Sequence, residues 1–213
     1  GVEGYCRLAQ ICDTLHIFDI GGGAPGTTSL KGPPFNLKSL LRDFLVRLKQ
    51  MCREYQVPEP DIITEWGRHS VSDCEAHFWP VIAKYGCWYQ IAGSIMNTLP
   101  DVWGPYQQRF PVLPANGFNR TYDYYEPAGL TCDQDDTYPI VPLPKVAIHT
   151  GQPLYLGFFG TGAYQEQLRM NAHCMRKQEE ELTLDIINGE WQIEVTQPAQ
   201  TRAQMLGTMG FDV

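Results

Sequence analysis

The 213-residue chain lacks any apolar run long enough to cross a membrane, and its first residues lack the pattern of a signal peptide. No lysine- or arginine-rich run is interleaved with aromatic residues, and the formal net charge is −8, from 16 basic and 24 acidic residues. We therefore expect no membrane partner and no nucleic-acid partner. The seven cysteines include no Cys-x-x-Cys pair. This odd, scattered set favours reduced thiols and a cytoplasmic location.

The start of the chain resembles the middle of a domain. The sequence begins with Gly1 rather than methionine, and apolar residues follow at helical spacing, at Tyr5, Leu8 and Cys12. We expect a processed or partial polypeptide; a shortened sequence and a removed initiator methionine are the alternatives. The length still suffices for one large domain or two small ones.

Helix and strand signals alternate at the beginning of the chain. A short apolar run at 15–20 ends at glycines and predicts a parallel strand. A loop rich in proline and glycine is expected at 24–36. Asn36 is a good N-cap for an amphipathic helix over Leu37–Tyr55, and a second strand is expected at 61–64. This β-loop-α-β order is the unit of an α/β barrel or a doubly wound sheet, where binding residues cluster at strand carboxyl ends.

The remaining residues are predicted to be mainly β structure with long loops. Asn188-Gly189 is the strongest local hairpin signal, and the flanking strands at 182–187 and 190–195 alternate apolar with polar side chains. We therefore expect one face of this hairpin to be buried. The other predicted elements are β structure at 71–94, a long loop at 99–127, a strand at 154–159 and a terminal helix at 201–206.

Two short runs lie where the first two predicted strands end. One contains Gly21, Gly22 and Gly23, and the other contains Glu65 and Arg68. Glycine N–H groups can cradle a phosphate, and an arginine can add a bidentate contact to it. A nearby glutamate can hold a protonated ring nitrogen. Together these residue types predict a phosphorylated, nitrogen-containing cofactor, for which pyridoxal phosphate (PLP) is the obvious candidate.

Other interpretations of these two runs stay open. Residues 21–26 match G-x-G-x-x-G, but a proline-rich loop follows instead of a helix, which disfavours a dinucleotide fold. A Walker loop is disfavoured because no Gly-Lys-Ser/Thr follows. The glycines could also form a tight turn without a ligand, and Glu65 and Arg68 could form a buried ion pair.

Cysteine and histidine residues outside these runs are further candidates for chemistry. Cys132 precedes Asp133 and Asp136, so the thiol could donate a proton while Asp133 binds a cationic substrate end. A buried structural thiol and a solvated acidic turn are the alternatives. The Cys–His spacings at 74–77 and 173–174 lack a second pair that would complete a tetrahedral set, so no metal is expected.

Taken together, these residues resemble the alanine-racemase-like, PLP-dependent decarboxylases of basic amino acids, the family of ornithine, diaminopimelate and biosynthetic arginine decarboxylases. The resemblance covers essentially the whole chain, but only the family's C-terminal half. It rests on five motifs in the family's order, Phe18-Asp19-Ile20-Gly21-Gly22-Gly23, Glu65-Trp66-Gly67-Arg68, Leu99-Pro100-Asp101-Val102-Trp103, Leu130-Thr131-Cys132-Asp133 and Gly162-Ala163-Tyr164-Gln165-Glu166. The last three motifs are closer to arginine decarboxylase than to ornithine decarboxylase.

The resemblance implies a role for each matching residue. The PLP phosphate would be held by Gly21, Gly22, Gly23, Arg68 and Tyr164. Glu65 would keep the pyridine nitrogen protonated, and Cys132 would protonate the α-carbon after carbon dioxide leaves. Asp101 and Asp133 would pair with the distal cation of the substrate.

The family's N-terminal half brings a Schiff-base lysine and a histidine that stacks on the cofactor ring, and neither has a counterpart here. No such position is matched by Lys31, Lys38, Lys49 or Lys84. The resemblance therefore implies one polypeptide of a split or cleaved decarboxylase, completed by a second polypeptide that supplies the N-terminal barrel half. Dimers of such assemblies, with shared active sites, are expected.

The implied fold class is α/β plus β. Residues 1–70 would be the last βα units of a PLP-binding (β/α)8 barrel, and 71–213 a mainly β domain with substrate and dimer-interface loops. The implied reaction is decarboxylation of a small basic amino acid, most simply arginine to agmatine, with ornithine, lysine or diaminopimelate as alternative substrates. An alternative of a different class is a non-catalytic decarboxylase-like protein that binds or regulates a decarboxylase.

Overall fold

The structure, a computed structural model, describes residues 1–26, 33–104, 107–146, 151–170 and 173–212. Part of the predicted loop at 24–36, with Lys31, lies outside the described residues. The chain separates into two compact units. The first contains Gly1–His77, Arg109–Leu113 and Gly157–Tyr164, and the second contains Phe78–Gln108, Pro114–Leu156 and Gln165–Val213.

The first unit is built around two parallel strands and one long helix. Its elements are helix α1 (Val2–Ala9), strand β1 (Ile17–Asp19), helix α2 (Leu37–Tyr55), strand β2 (Asp61–Ile63), helix α3 (Gly67–Val71) and a 3-10 turn (Ser72–Cys74). Strands β1 and β2 pair in parallel, with Phe18 opposite Ile62. The predicted β-loop-α-β order is confirmed, with strands shorter than the apolar runs that predicted them.

The ends of α2 follow from local chemistry. The Asn36 side chain accepts a hydrogen bond from the Ser39 N–H at 2.9 Å, as expected for an N-cap. At the other end, Gln56 adopts a left-handed conformation with φ 57°, which stops the helix. The predicted bounds of this helix are confirmed.

The core of the first unit lies between α1 and the C-terminal half of α2. Its fully buried members are Tyr5, Cys6, Leu48, Met51 and Cys52. Burial, together with the neighbouring Cys6 thiol, raises the pKa of Cys52 to about 11. The N-terminal half of α2 is less covered, because Leu40 keeps 46% of its surface exposed.

A six-stranded sheet holds most of the β structure. Its strands are β3 (Ala76–Tyr85), β4 (Trp88–Ile91), β5 (Val112–Pro114), β6 (Tyr122–Ala128), β7 (Val141–Pro144) and β8 (Tyr155–Phe159), in the spatial order β5-β8-β3-β4-β6-β7. Strands β3 and β4 form an antiparallel pair, and β4 pairs in parallel with β6. The predicted strand at 154–159 is confirmed.

The long loop predicted at 99–127 is wrong. This stretch contains β5, most of β6, and part of a pair of short helices, α4 (Ile95–Thr98) and α5 (Pro100–Trp103). Prolines and glycines dominated the sequence signal, but the tyrosines of β6 favour strand structure. The buried Tyr125 ring stacks on Tyr89 with 3.9 Å between ring centroids, and this packing outweighs the strand-breaking residues nearby.

The last described elements are helix α6 (Gln165–Leu168), a 3-10 turn (His173–Met175), strands β9 (Glu181–Ile187) and β10 (Glu190–Gln197), and helix α7 (Arg202–Thr208). Asn188 and Gly189 have φ of 54° and 84°, which confirms the predicted hairpin turn. Thr201 and Gln204 form a capping box that starts α7, near its predicted position.

The predicted burial of one hairpin face is wrong. Trp191 and Ile193 on that face are 67% and 69% exposed. The reason is topological, because among the strands that the structure describes β9 and β10 pair with each other and do not join the six-stranded sheet. In the described part of the chain, no helix is long and apolar enough to span a membrane.

We expect Leu48→Ala to lower the free energy of unfolding of the chain by about 2–5 kcal/mol, because it leaves a cavity in the core between α1 and α2. Leu40→Ala, the same change on the exposed part of the same helix, should cost about 1 kcal/mol or less. Urea unfolding followed by far-ultraviolet circular dichroism measures both. Equal losses would show that this core does not stabilise the unit.

Candidate cofactor and substrate site

The glycine run forms a tight turn at the end of β1. The Gly21 carbonyl accepts a hydrogen bond from the Glu65 N–H at 3.0 Å, and the Asp19 carboxylate accepts one from the Gly21 N–H at 2.8 Å. Gly21 and Gly23 have φ of 69° and 97°, a conformation that favours glycine. The turn therefore follows from residue type, and it fixes the backbone of Glu65 beside the glycines.

The surroundings of this turn fit an anionic group. A Cβ on Gly22 would lie only 3.0 Å from the Glu65 carbonyl oxygen, whereas a Cβ on Gly21 or Gly23 would meet nothing within 4 Å. Among the residues that the structure describes, none accepts a hydrogen bond from the N–H of Gly22 or Gly23. Backbone donors next to open space suit a phosphate.

Arg68 and Tyr164, predicted from two motifs far apart in sequence, lie in contact. The Arg68 guanidinium carbon sits 4.9 Å from the centroid of the Tyr164 ring, a cation–π geometry. Tyr164 has φ of 71°, which is unusual for a residue with a side chain, and it is 48% exposed. Strained backbone of this kind is common at binding sites.

A close backbone approach brings Tyr164 to Arg68. The Gly162 N–H donates to the Ser72 carbonyl at 2.9 Å, and the Thr161 N–H donates to the Glu75 carbonyl at 3.1 Å. A Cβ on Gly162 would collide with the Val71 carbonyl oxygen. Only glycine permits this close approach of the two backbones. Apart from the glycine itself, nothing in the sequence indicates it.

His69 is a site residue that sequence reasoning missed. Its Nδ1 donates to the Pro25 carbonyl at 2.8 Å, and the edge of its ring faces Phe35 at 6.0 Å between centroids. His69 thereby fastens the segment after the glycine run to α3. A histidine two positions after a glycine gave no signal by itself.

A cavity of about 520 Å³ adjoins the glycine turn. Its side-chain walls are mainly apolar and come from Phe18, Ile20, Pro25, Phe35, Leu40, Leu41, Phe44 and Trp66, with Asp19 as the charged member. The exposed N-terminal half of α2 therefore faces this space. An apolar wall beside backbone donors is typical of sites that bind small molecules.

The predicted substrate residue Asp101 lies in the second unit and is held by Gln165. The Gln165 amide nitrogen donates to the Asp101 carboxylate at 2.9 Å, and its oxygen accepts from the Asp101 N–H at 3.2 Å. The Gln165 side chain is fully buried. The Gln165 side-chain amide thus holds one carboxylate oxygen of Asp101 in a fixed orientation.

The loop that carries Cys132 and Asp133 is anchored by Asp136. This carboxylate is 2% exposed and accepts hydrogen bonds from the Thr131 hydroxyl at 2.7 Å and the Thr131 N–H at 3.0 Å. It also accepts from the Met96 N–H at 2.9 Å and from the Ser94 hydroxyl at 3.1 Å. Asp136 is therefore a structural residue whose burial the run of acids did not reveal.

The Cys132 side chain is exposed, and its Sγ lies 3.8 Å from the Sγ of Cys174. A hydrogen bond with the Cys174 thiol, and the repulsion between the two sulfurs when ionised, raise the pKa of Cys132 above its ordinary value. Since that ordinary value is already above neutral, Cys132 is a thiol rather than a thiolate near pH 7.

The predicted site residues fall into two groups. The predicted cofactor residues share the first unit, and they are Gly21, Gly22, Gly23, Glu65, Arg68 and Tyr164. Asp101, Cys132 and Asp133 belong to the second unit. Within the described ranges, no group of three or more histidine, cysteine, aspartate or glutamate side chains could hold a metal ion.

The fold is that of amino acid decarboxylases. A crystal structure of the biosynthetic arginine decarboxylase from Campylobacter jejuni matches 99% of this chain and 52% of its own length, with a TM-score of 0.83 and 18% identity. A diaminopimelate decarboxylase from M. jannaschii matches 96% of the chain and 45% of its own length, with a TM-score of 0.76 and 17% identity. These matches confirm the fold class as part of a barrel followed by a mainly β region.

Sequence similarity points to the same proteins. The biosynthetic arginine decarboxylase of Shewanella frigidimarina is 38% identical over 280 residues, which covers 77% of this chain and 44% of the relative. The chain spans less than half the length of the curated relatives that it matches. No family model matches. Together the relatives and the structural neighbours support the family of PLP-dependent decarboxylases of basic amino acids, with partial, C-terminal coverage.

We expect Gly162→Ala to lower the free energy of unfolding by about 1–3 kcal/mol, because the added methyl group has no room beside the Val71 carbonyl. Gly4→Ala is the matched control. A Cβ at Gly4 meets nothing within 4 Å, and the helix should gain up to about 1 kcal/mol. Urea unfolding of both variants measures the difference, and a neutral Gly162→Ala would refute the close approach.

Proposed function

We propose that this chain is the C-terminal part of a PLP-dependent decarboxylase that converts arginine to agmatine. The observation that carries the proposal is the convergence of three motifs, at 21–23, 65–68 and 162–164, within one unit. The three motifs bring backbone donors, a guanidinium and a tyrosine into that unit, and the guanidinium contacts the tyrosine ring. The relatives named biosynthetic arginine decarboxylase support arginine as the substrate.

We assign the cofactor-binding roles to residues of the first unit. The N–H groups of Gly22 and Gly23 would donate to phosphate oxygens, with the Arg68 guanidinium as a second, charged donor. The Gly21 N–H is taken by Asp19, so Gly21 contributes the turn rather than a donor. The Tyr164 ring holds the Arg68 guanidinium in place while its hydroxyl is left to reach a phosphate oxygen.

The Glu65 carboxylate would accept a hydrogen bond from the pyridine N–H and keep that nitrogen protonated. When bound, PLP supplies an electron sink for the carbanion that carbon dioxide leaves behind. Cys132 remains protonated near neutral pH, so its S–H can deliver a proton to the α-carbon. Asp101 and Asp133 would pair with the substrate guanidinium.

We further propose that a second polypeptide supplies the N-terminal barrel half with the Schiff-base lysine, and that such assemblies dimerise with shared active sites. This chain covers only 52% and 45% of the two solved relatives, which supports a second polypeptide that supplies the rest. The biosynthetic relatives and seven cysteines free of disulfides support a cytoplasmic location.

Purification of this chain from its own cells, followed by intact-mass spectrometry, tests the assembly. We expect a second polypeptide to co-purify, and the complex to release carbon dioxide and agmatine from arginine. Faster turnover of ornithine, lysine or diaminopimelate would show that the proposed substrate, arginine, is wrong. If none of the four amino acids is turned over, the alternative of a non-catalytic protein that binds or regulates a decarboxylase is favoured. A stable PLP-binding monomer, or a single longer polypeptide, would overturn the two-chain arrangement.

We expect Arg68→Met to raise the dissociation constant of PLP by about 10–100-fold, because it removes one charged hydrogen-bond donor of the phosphate. Arg47→Met, on the exposed surface of α2, is the matched control and should leave the constant unchanged. Titration of the complex with PLP, followed by its absorbance, measures both. Unaltered affinity in Arg68→Met would remove Arg68 from the site.

A further inference from the structure

Two exposed thiols face each other in the second unit. The Sγ atoms of Cys132 and Cys174 are 3.8 Å apart, although 42 residues separate them in sequence. The other three exposed cysteines are Cys12, Cys74 and Cys87, and among the described residues none of these has a thiol for a neighbour. The Cys132–Cys174 pair is therefore the accessible place where an intramolecular disulfide can form.

A common anchor holds both thiols near each other. Ser94, the N-cap of α4, donates to Asp136, which fixes the loop before Cys132. The Ser94 hydroxyl also accepts a hydrogen bond from the Asn97 N–H at 3.1 Å, and the Asn97 side-chain amide donates to the His173 carbonyl at 3.0 Å, one residue before Cys174. Both cysteine segments are thus tied to the first turn of the same short helix.

The backbone at Cys174 favours a chemical role over chance proximity. Cys174 and Met175 have φ of 49° and 55°, two consecutive left-handed residues that are not glycine. Such backbone costs free energy and persists only where contacts on both sides impose it. In this segment, the strained backbone goes together with an exposed Cys174 sulfur that faces Cys132.

A base lies beside the pair. The Nε2 of His173 is 3.4 Å from the Cys174 Sγ, so a neutral imidazole can accept the thiol proton. Cys174 therefore has a proton acceptor within reach, which suits it to attack first, whereas the hydrogen bond with Cys174 raises the pKa of Cys132. The two sulfurs have different parts to play in an exchange reaction.

We propose that Cys132 and Cys174 form a reversible disulfide through exchange with a low-molecular-weight disulfide. The Cys174 thiolate attacks one sulfur of that oxidant, forms a mixed disulfide and releases one thiolate. Cys132 then loses its proton to solvent and attacks the Cys174 sulfur, which expels the second thiolate. The two cysteine thiols are oxidised, and the small disulfide is reduced to two thiols that take up the two protons.

The consequence for catalysis rests on the proposed function. In the disulfide, Cys132 has no S–H to deliver to the α-carbon, so oxidation would stop turnover until a reductant restores the thiol. Formation of the Cys132–Cys174 disulfide does not depend on Cys132 being the proton donor. Its formation is therefore measured first, by a method that needs no enzymatic activity.

Peptide mapping after treatment with oxidised glutathione tests the bond. Trypsin releases Cys132 in the peptide 121–145 and Cys174 in the peptide 170–176, each with one cysteine. We expect these peptides to be recovered linked, two hydrogens lighter than their sum, and to separate after reduction. Separate glutathione adducts on the two peptides, without the link, would overturn the proposal.

Three controls sharpen the result. Cys174→Ser should abolish the link, and Cys87→Ser, which removes another exposed thiol, should retain it. The buried neighbours Cys6 and Cys52, 0% and 1% exposed, should stay unlinked in the folded protein. A Cys6–Cys52 link of equal yield would overturn the proposal, because it would show that the thiols pair without regard to the folded geometry.

Activity of the assembled enzyme supplies the second measurement. Oxidised glutathione should reduce decarboxylation at least tenfold in the wild type and the Cys87→Ser variant, with recovery on reduction, but leave Cys174→Ser unaffected. If the link forms and the reduced complex has no activity, the proposed function is wrong but the proposed Cys132–Cys174 disulfide is still supported. If the link forms and activity is unchanged, Cys132 is not the proton donor.

Discussion

The backbone hydrogen bond between Gly162 and Ser72 is the contact on which the candidate cofactor site depends. It holds the segment of Tyr164 against the turn that follows α3, and so sets the Tyr164 ring over Arg68. Without a Cβ at residue 162 the two backbones can meet, and the distant motif becomes part of one site. The guanidinium that would bind phosphate is thereby oriented before any ligand arrives, which lowers the entropic cost of binding.

A second constraint, the buried carboxylate of Asp136, organises the other group of predicted residues. Burial of a charge is tolerated only when hydrogen bonds replace the lost water, and Asp136 receives four of them. Two come from Thr131 and two from the start of α4. Asp136 therefore stabilises the loop from within rather than forming part of a solvated acidic turn, which was one alternative from the sequence, and Cys132 stays exposed.

The sequence predicted elements where local chemistry decides the structure. Asn36 caps α2, Asn188-Gly189 forms the hairpin turn, and Thr201 starts the last helix, because each depends on a few neighbouring residues. Prediction failed where distant packing decides. The β6 strand is stabilised by the Tyr89–Tyr125 stack, and neither the burial of Asp136 nor the contact of His69 with Pro25 has a local signature. Residue types alone predicted a phosphorylated cofactor at the glycine run and at Glu65 and Arg68, whereas the role of Tyr164 came from the family resemblance. The convergence of these motifs required the fold.

Exposed apolar surface in the first unit has a physical reason. Parallel strands are normally covered on both faces and paired on both sides, whereas β1 and β2 pair only with each other in the described chain. Ile17 and Ile63 keep 45% and 47% of their surfaces exposed, and Leu40 of α2 is similarly uncovered. These apolar side chains are left uncovered by the described strands and helices of the unit. Under the proposed two-chain arrangement, the second polypeptide would pair with these open strand edges and would also bring the Schiff-base lysine.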